Sequence, residues 1–167
     1  MLKVTFLGDI SLNNCYNEFH KSKKNPFEDI SDLLEASHFN IGNLECLGKG
    51  DYGENLLKYP RLNTKSKTLS LLRLLNLKIV TLAHNHIYDN LLNGYNKTIK
   101  QLNNQDIEYL GAGLSISEAE KEIVIDQNNV KLGLLNFVNK NTNPKMPEKA
   151  ELYLNYFDIG VIENQIK

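Results

Sequence analysis

LKIVTLAHNHIYDN, residues 77–90, passes from apolar to polar within one segment. Five of its first seven residues are apolar and the run is β-rich, which predicts a buried strand over 77–83. That strand delivers His84, Asn85, His86 and Asp89 to the surface. The chain has four histidines in all, so half of them stand here.

Working outward, the same alternation recurs on both sides. Upstream, a helix begins at Thr64, with Leu69, Leu72 and Leu75 on one side. Before it, residues 39–42 read as a strand followed by Asn43-Leu44-Glu45. Residues 27–36 place Phe27, Ile30, Leu33 and Leu34 at helical spacing. Residues 2–7, LKVTFL, read as a strand that ends in Gly8-Asp9. Downstream, residues 91–104 predict a helix, and 107–110 a strand ending in Gly111-Ala112-Gly113. A short helix follows around 115–121. Segments 122–126 and 130–138 then flank Asn128-Asn129, a hairpin turn. Residues 139–148, with Pro144 and Pro147, read as a loop, and Asp158 caps a last helix that runs to Lys167.

Strand and helix in alternation predict an α/β fold with a parallel sheet and βαβαβ crossovers, followed by a β-hairpin. In such a sheet the carboxyl ends of all strands share one edge, where ligands bind. Asp9, Glu45, Asn85 and His86 each follow a strand and so meet at that edge. Two carboxylates and an amide oxygen are hard donors suited to Mg²⁺ or Mn²⁺, or to Zn²⁺ when an imidazole joins. A nearby histidine can protonate a leaving oxygen. Asp89 is better explained as the N-cap of the helix at 91–104, and Cys46 as a small buried apolar residue. The G-x-G at 111–113 reads as a turn, with a phosphate cradle the weaker alternative.

Other features bound the function. The chain has 167 residues, about the size of one domain, with 19 basic and 20 acidic side chains. Net charge of −1 argues against non-specific nucleic-acid binding. The cluster His20-Lys21-Ser22-Lys23-Lys24 is locally basic and reads as a solvated loop. Two cysteines, Cys15 and Cys46, without C-x-x-C, read as free thiols, with a single bridge as the minor alternative. No signal peptide or membrane-spanning segment is visible, which predicts a cytoplasmic protein as the chain stands. Residues 47–63, rich in glycine, form a loop long enough to be a lid or binding segment.

The order of motifs resembles the bacterial capsule-synthesis family, the CapA group that includes PgsA-like proteins of poly-γ-glutamate synthesis. The resemblance rests on FLGDISL at 6–12, GNLEC at 42–46, TLAHNHIYDNLLNG at 81–94, T-x-x-x-L at 98–102 and GAGLSISEA at 111–119. It implies a calcineurin-like metallophosphoesterase-type sandwich, with Asp9, Glu45 and Asn85 as metal ligands. His86 becomes the acid beside the leaving group, and His84 an auxiliary catalytic residue. A divalent cation, Mn²⁺ or Mg²⁺ or else Zn²⁺, is implied, weakly held. The implied substrate is a capsular polymer or an activated glycan or peptide.

Departures refine that expectation. Ser11 stands where phosphoesterases of this fold carry a histidine, so one metal site loses a ligand. His84 stands where the family has Asn, and Asn90-Leu91 replace an aromatic and a glycine. The family continues with H-W-G and H-P-H segments, whereas this chain has no histidine after His86. The expectation is therefore the N-terminal half of a capsule-synthesis domain over 1–167, prone to self-association or to pairing with its other half. Its activity as a hydrolase would be low. The alternatives are a non-catalytic polymer-binding or assembly component and a non-functional remnant.

Overall fold

The structure, a computed structural model, describes residues 1–142 and 144–166. Four strands, β1 (Val4–Ile10), β2 (Phe39–Leu44), β3 (Leu77–Thr81) and β4 (Glu108–Leu110), form one parallel sheet in the order β1-β2-β3-β4. Between β1 and β2 lie α1 (Tyr16–Ser22), a 3-10 turn (Glu28–Ile30) and α2 (Ser31–Glu35). A 3-10 helix, Ser66–Leu75, precedes β3, and α3 (Leu91–Asn103) joins β3 to β4. Then come β5 (Ala112–Gly113), α4 (Ile116–Ala119), the hairpin β6 (Ile123–Gln127) and β7 (Val130–Leu134), β8 (Tyr153–Leu154) and α5 (Ile159–Ile166). This is the expected mixed α/β architecture, consistent with the N-terminal half of a calcineurin-like fold.

Strand periodicity divides the sheet's side chains between two cores. Leu7, Ile10, Leu44, Leu77 and Val80 face the helices and join Leu69, Leu72 and Leu102 in the larger core. Val4, Phe39, Ile41, Ile79 and Leu110 face the other way, where Ile123, Ile125 and Leu134 of the hairpin cover them. Each fully buried leucine contributes about 1.5–3 kcal/mol. Asn40, wholly buried in β2, is spent on structure: its amide donates to the carbonyls of Leu34 (3.1 Å) and Leu75 (2.7 Å), tying two helix ends to the sheet.

Several expectations are refined. The segment before β3 is a 3-10 helix, because Leu69, Leu72 and Leu75 recur every three residues, the period of that helix. The predicted helix at 27–36 splits into a 3-10 turn and a short α-helix. Helix α1 was not expected: none of its residues is buried, its aromatics Tyr16 and Phe19 pack with each other, and Tyr16 stacks on Phe27 outside the helix. The hairpin turn is at Asn128-Asn129, both left-handed (φ 55° and 60°), as a primed turn requires. Asp158 caps α5, accepting from the Val161 N–H at 3.2 Å. Lys167 lies outside the described residues. Both cysteines are free thiols, Cys15 exposed and Cys46 buried.

Candidate active site at the carboxyl edge of the sheet

Three strand ends and one long loop build the site. On β1, Leu7 pairs with Gly42 and Asp9 with Asn43, so Gly8 is the extra residue of a bulge. A bulge re-aims the side chains beside it. Here the Asp9 carboxylate accepts from the Asn43 amide at 2.7 Å, and the Asn43 oxygen accepts from the Thr81 hydroxyl at 3.0 Å. This polar line crosses β1, β2 and β3 just below the rim. Glu45 follows β2, its N–H bonded to the Ile10 carbonyl at 3.1 Å. Asp9 is exposed, and Glu45 and Asn85 are half-buried.

After β3 the chain makes a compact turn. The His86 N–H donates to Nδ1 of His84 at 3.1 Å. Nδ1 of His84 is thus an acceptor, and the neutral ring carries its proton on Nε2. Nε2 is buried without a hydrogen-bond partner. Burial pushes the His84 pKa down to about 3, with neighbouring His86 adding to the shift and Asp9 opposing it. His84 is therefore neutral at physiological pH, a buried N–H donor near Asp9. A tautomer with its proton on Nε2 does not ligate a metal through that nitrogen.

His86 is held differently. Its Nδ1 lies 2.6 Å from Asp89 Oδ2, and the Asp89 side chain is wholly buried. Asp89 Oδ2 also accepts from the Leu62 N–H at 2.7 Å, while Oδ1 lies 3.4 Å from Lys58 Nζ. The expectation that Asp89 caps the helix fails: Asn90 occupies the N-cap of α3 and makes no side-chain cap bond. Its carboxylate instead meets two residues of the distant loop, contacts that no local pattern signals.

Lys58 was also not foreseen. The loop over 47–63 is closed by Glu54, which pairs with Arg61 (3.1 Å) and Lys49 (3.3 Å), and by an Asn55 N–H to Asp89 carbonyl bond of 2.9 Å. Closed in this way, it carries Lys58 into the site with 7% of its side chain exposed. The ammonium also donates to the Asn85 carbonyl. Burial lowers the Lys58 pKa, opposed by the charges of Asp89 and Glu45. Next to it opens a pocket of about 290 Å³ whose lining includes Lys58, Asn85, His86 and Lys145 and no carboxylate.

Cys46 is fully buried, and burial pushes its thiol pKa up to about 12, which makes it a packing residue. The G-x-G at 111–113 is likewise structural. Gly111 is left-handed (φ 97°), and a side chain there would collide with Asn136 and Ala83. The following N–H of Leu114 is bonded to Glu118 (2.8 Å) and that of Glu118 to Ser115 (3.1 Å), a capping arrangement that leaves neither amide for a phosphate.

As to a cation, the Asp9 and Glu45 carboxylates retain free oxygens, and Asn85 follows β3 on the same edge of the sheet; the donor types are hard oxygens of the kind Mg²⁺ or Mn²⁺ takes. Among the described residues no three His, Cys, Asp or Glu side chains gather as a metal cage. An ion held there would keep most of its water, and Lys58 is near enough to Glu45 to compete for its charge.

The description "Bacterial capsule synthesis protein PGA_cap" matches residues 3–166. The chain is similar to the PGA biosynthesis protein CapA of Bacillus subtilis (strain 168), 25% identical over 169 residues, covering 92% of this chain and 44% of that protein. It is also similar to the capsule biosynthesis protein CapA of Bacillus anthracis, 26% identical over 141 residues, covering 81% of this chain and 34% of that protein. The chain thus spans less than half the length of either relative. No helix among the described residues is long and apolar enough to cross a membrane.

Proposed function

The chain belongs to the bacterial capsule synthesis protein family, and from that premise we propose that it serves the making of a capsular polymer such as poly-γ-glutamate. The chemistry proposed is a metal-assisted hydrolysis of a phosphoester or related bond in an activated glycan, lipid or polymer. One observation supports it above the rest: Asp9, Glu45 and Asn85, from three separate strand ends, stand on the same rim as a His86–Asp89 pair and an adjoining cationic pocket.

Asp9, Glu45 and Asn85 would hold the ion. When bound, it would supply Lewis-acid polarisation of a phosphoryl oxygen and a more acidic water. The remaining work belongs to the chain itself. Asp89 fixes the ring of His86 through Nδ1, leaving Nε2 as the working atom that gives its proton to the leaving oxygen. Lys58 and Lys145 supply positive field for an anionic substrate in the pocket. His84, neutral and buried, offers its Nε2–H as a fixed donor.

The test is turnover of an aryl phosphate with Mn²⁺, before and after chelation, with Mn²⁺ binding measured by calorimetry. Slow, chelator-sensitive turnover is expected. It should be abolished together with Mn²⁺ binding in Asp9→Asn, and lowered about 10²- to 10⁴-fold in His86→Asn with Mn²⁺ binding retained. Absence of both turnover and ion binding at high protein concentration refutes the hydrolase reading. A second reading is a non-catalytic polymer-binding component, favoured by Tyr52 (81% exposed) and Tyr59 (90% exposed) on the loop that closes the site. Polymer binding that chelation leaves untouched and Tyr52→Ala with Tyr59→Ala abolishes would select it.

A further inference from the structure

The basic cluster His20–Lys24, read from sequence as a solvated loop, in fact forms the last turn of α1 and the residues just past it, and it does not stand alone. Folding sets Lys21, Lys23 and Lys24 across a groove of about 800 Å³ from Lys65, Lys67 and Arg73, which belong to the 3-10 helix and its N-terminal approach. The chain has 19 basic residues in all and a net charge of −1, so a third of its fixed positive charge gathers here. No carboxylate lines the groove. Glu18 at its rim pairs with Lys21 at 2.7 Å, but among the described residues the other five cations form no ion pair.

The groove is built. Asn17 accepts from the Thr68 hydroxyl at 2.7 Å, and Ser70 bonds to His20 at 3.2 Å, bracing α1 against the 3-10 helix. The C-terminal dipole of α1 accounts for a lysine or two at its end, but not for three cations facing them from another element. Lys23 is held left-handed (φ 57°), a conformation in which Gly or Asn is the ordinary residue. A lysine kept there at a conformational cost fits a charge that is used.

We propose that this groove is a binding site for a polycarboxylate chain, a holding surface for the polymer apart from the candidate active site. The pocket beside His86 shares no lining residue with it. The choice of ligand class rests on the capsular-polymer reading above. Concavity and charge suit a flexible chain with closely spaced anions. No Phe, Tyr or Trp side chain lines the groove, and its one imidazole, His20, is bonded to Ser70, whereas single-stranded nucleic acids are held by stacking on aromatic platforms. Its concave shape and lack of exposed apolar side chains do not suit adsorption to a bilayer.

The experiment uses the full chain and fluorescent poly-γ-glutamate, followed by anisotropy at increasing KCl, with single-stranded DNA and phosphatidylserine vesicles as comparators. Salt-sensitive binding of polyglutamate is expected. Lys65→Glu, Lys67→Glu and Arg73→Glu combined should weaken it about 10- to 100-fold with unchanged circular dichroism. Lys23→Asn, which suits the left-handed backbone, should weaken binding with Tm unchanged or raised. His86→Asn and Asp9→Asn should bind as wild type, so loss of turnover and loss of the groove are separable. The proposal is overturned by no binding at low salt, by equal binding in the triple variant, or by tighter binding of the DNA or the vesicles.

Discussion

Asp89 bears on the site's stability because its wholly buried carboxylate is the counter-charge of a nearly buried lysine. Asp89→Ala leaves Lys58 without that partner and frees the Leu62 N–H and His86. Removing one member of a buried pair costs about 3–5 kcal/mol, and urea denaturation should show a loss of that size; a loss under about 1 kcal/mol would mean that Lys58 swings out to solvent. His84 makes a second, pH-dependent contribution. Its folded pKa of about 3 lies below the unfolded value, so the unfolded chain binds the extra proton. Stability from this residue is complete above about pH 6.5 and is lost as pH falls toward 3. In chelator-treated protein, lowering pH from 7 to 5 should cost wild type about 2 kcal/mol more than His84→Asn. Equal losses would show that His84 is accessible to protons in the fold. At this scale the sequence placed Asp9, Glu45, Asn85 and His86 on one rim because they stand at or beyond the carboxyl ends of three parallel strands, although Asp9 lies within β1 rather than after it. It missed the partners of Asp89, since an Asp just before a helix looks locally like a cap, and Leu62, which it bonds, lies 27 residues away.

Among the elements, α3 shows how a helix can be specified by what it must not carry. Its buried face includes Gly94, Tyr95, Thr98 and Leu102. The Thr98 hydroxyl accepts from the Gly48 N–H at 2.9 Å, and a methyl group on Gly94 would meet the Asn90 side chain and the Gly48 carbonyl. Gly94→Ala gains about 1 kcal/mol of helix propensity. It also forces the glycine-rich loop off the helix, an overpacking cost of about 1–3 kcal/mol. The clash involves backbone, so the cost wins, and a lower Tm is expected. An unchanged or raised Tm would show that the loop yields freely. The alternation of strands and helices was legible because buried strands read as apolar runs and α3 shows helical spacing. The β5–β8 pairing was not, since two strands of two residues carry no period, and α1 hid because Tyr16 and Phe19 are the only apolar residues among its seven, too few to show one.

At the scale of the molecule, the two faces of the parallel sheet are unequally covered. The helices bury one face, while the β6–β7 hairpin reaches only part of the other. Phe6 on β1 lies on the less covered face, 64% exposed, beside an apolar hollow lined by Ile41, Leu110 and Leu134. Strand β1 is also an edge, with one side of its backbone unpaired within the sheet. An exposed aromatic next to an open edge is the combination that templates strand pairing between molecules. Residues 1–167 alone are therefore expected to self-associate reversibly as concentration rises in sedimentation velocity. Phe6→Lys should shift the population toward monomer, because the buried charge would oppose face-to-face contact. The substitution removes little buried area in the monomer, so its Tm should change by no more than a surface replacement does, about ±0.5 kcal/mol in stability. A wild-type monomer at every concentration, or association that Phe6→Lys leaves unchanged, would place the cohesive surface elsewhere.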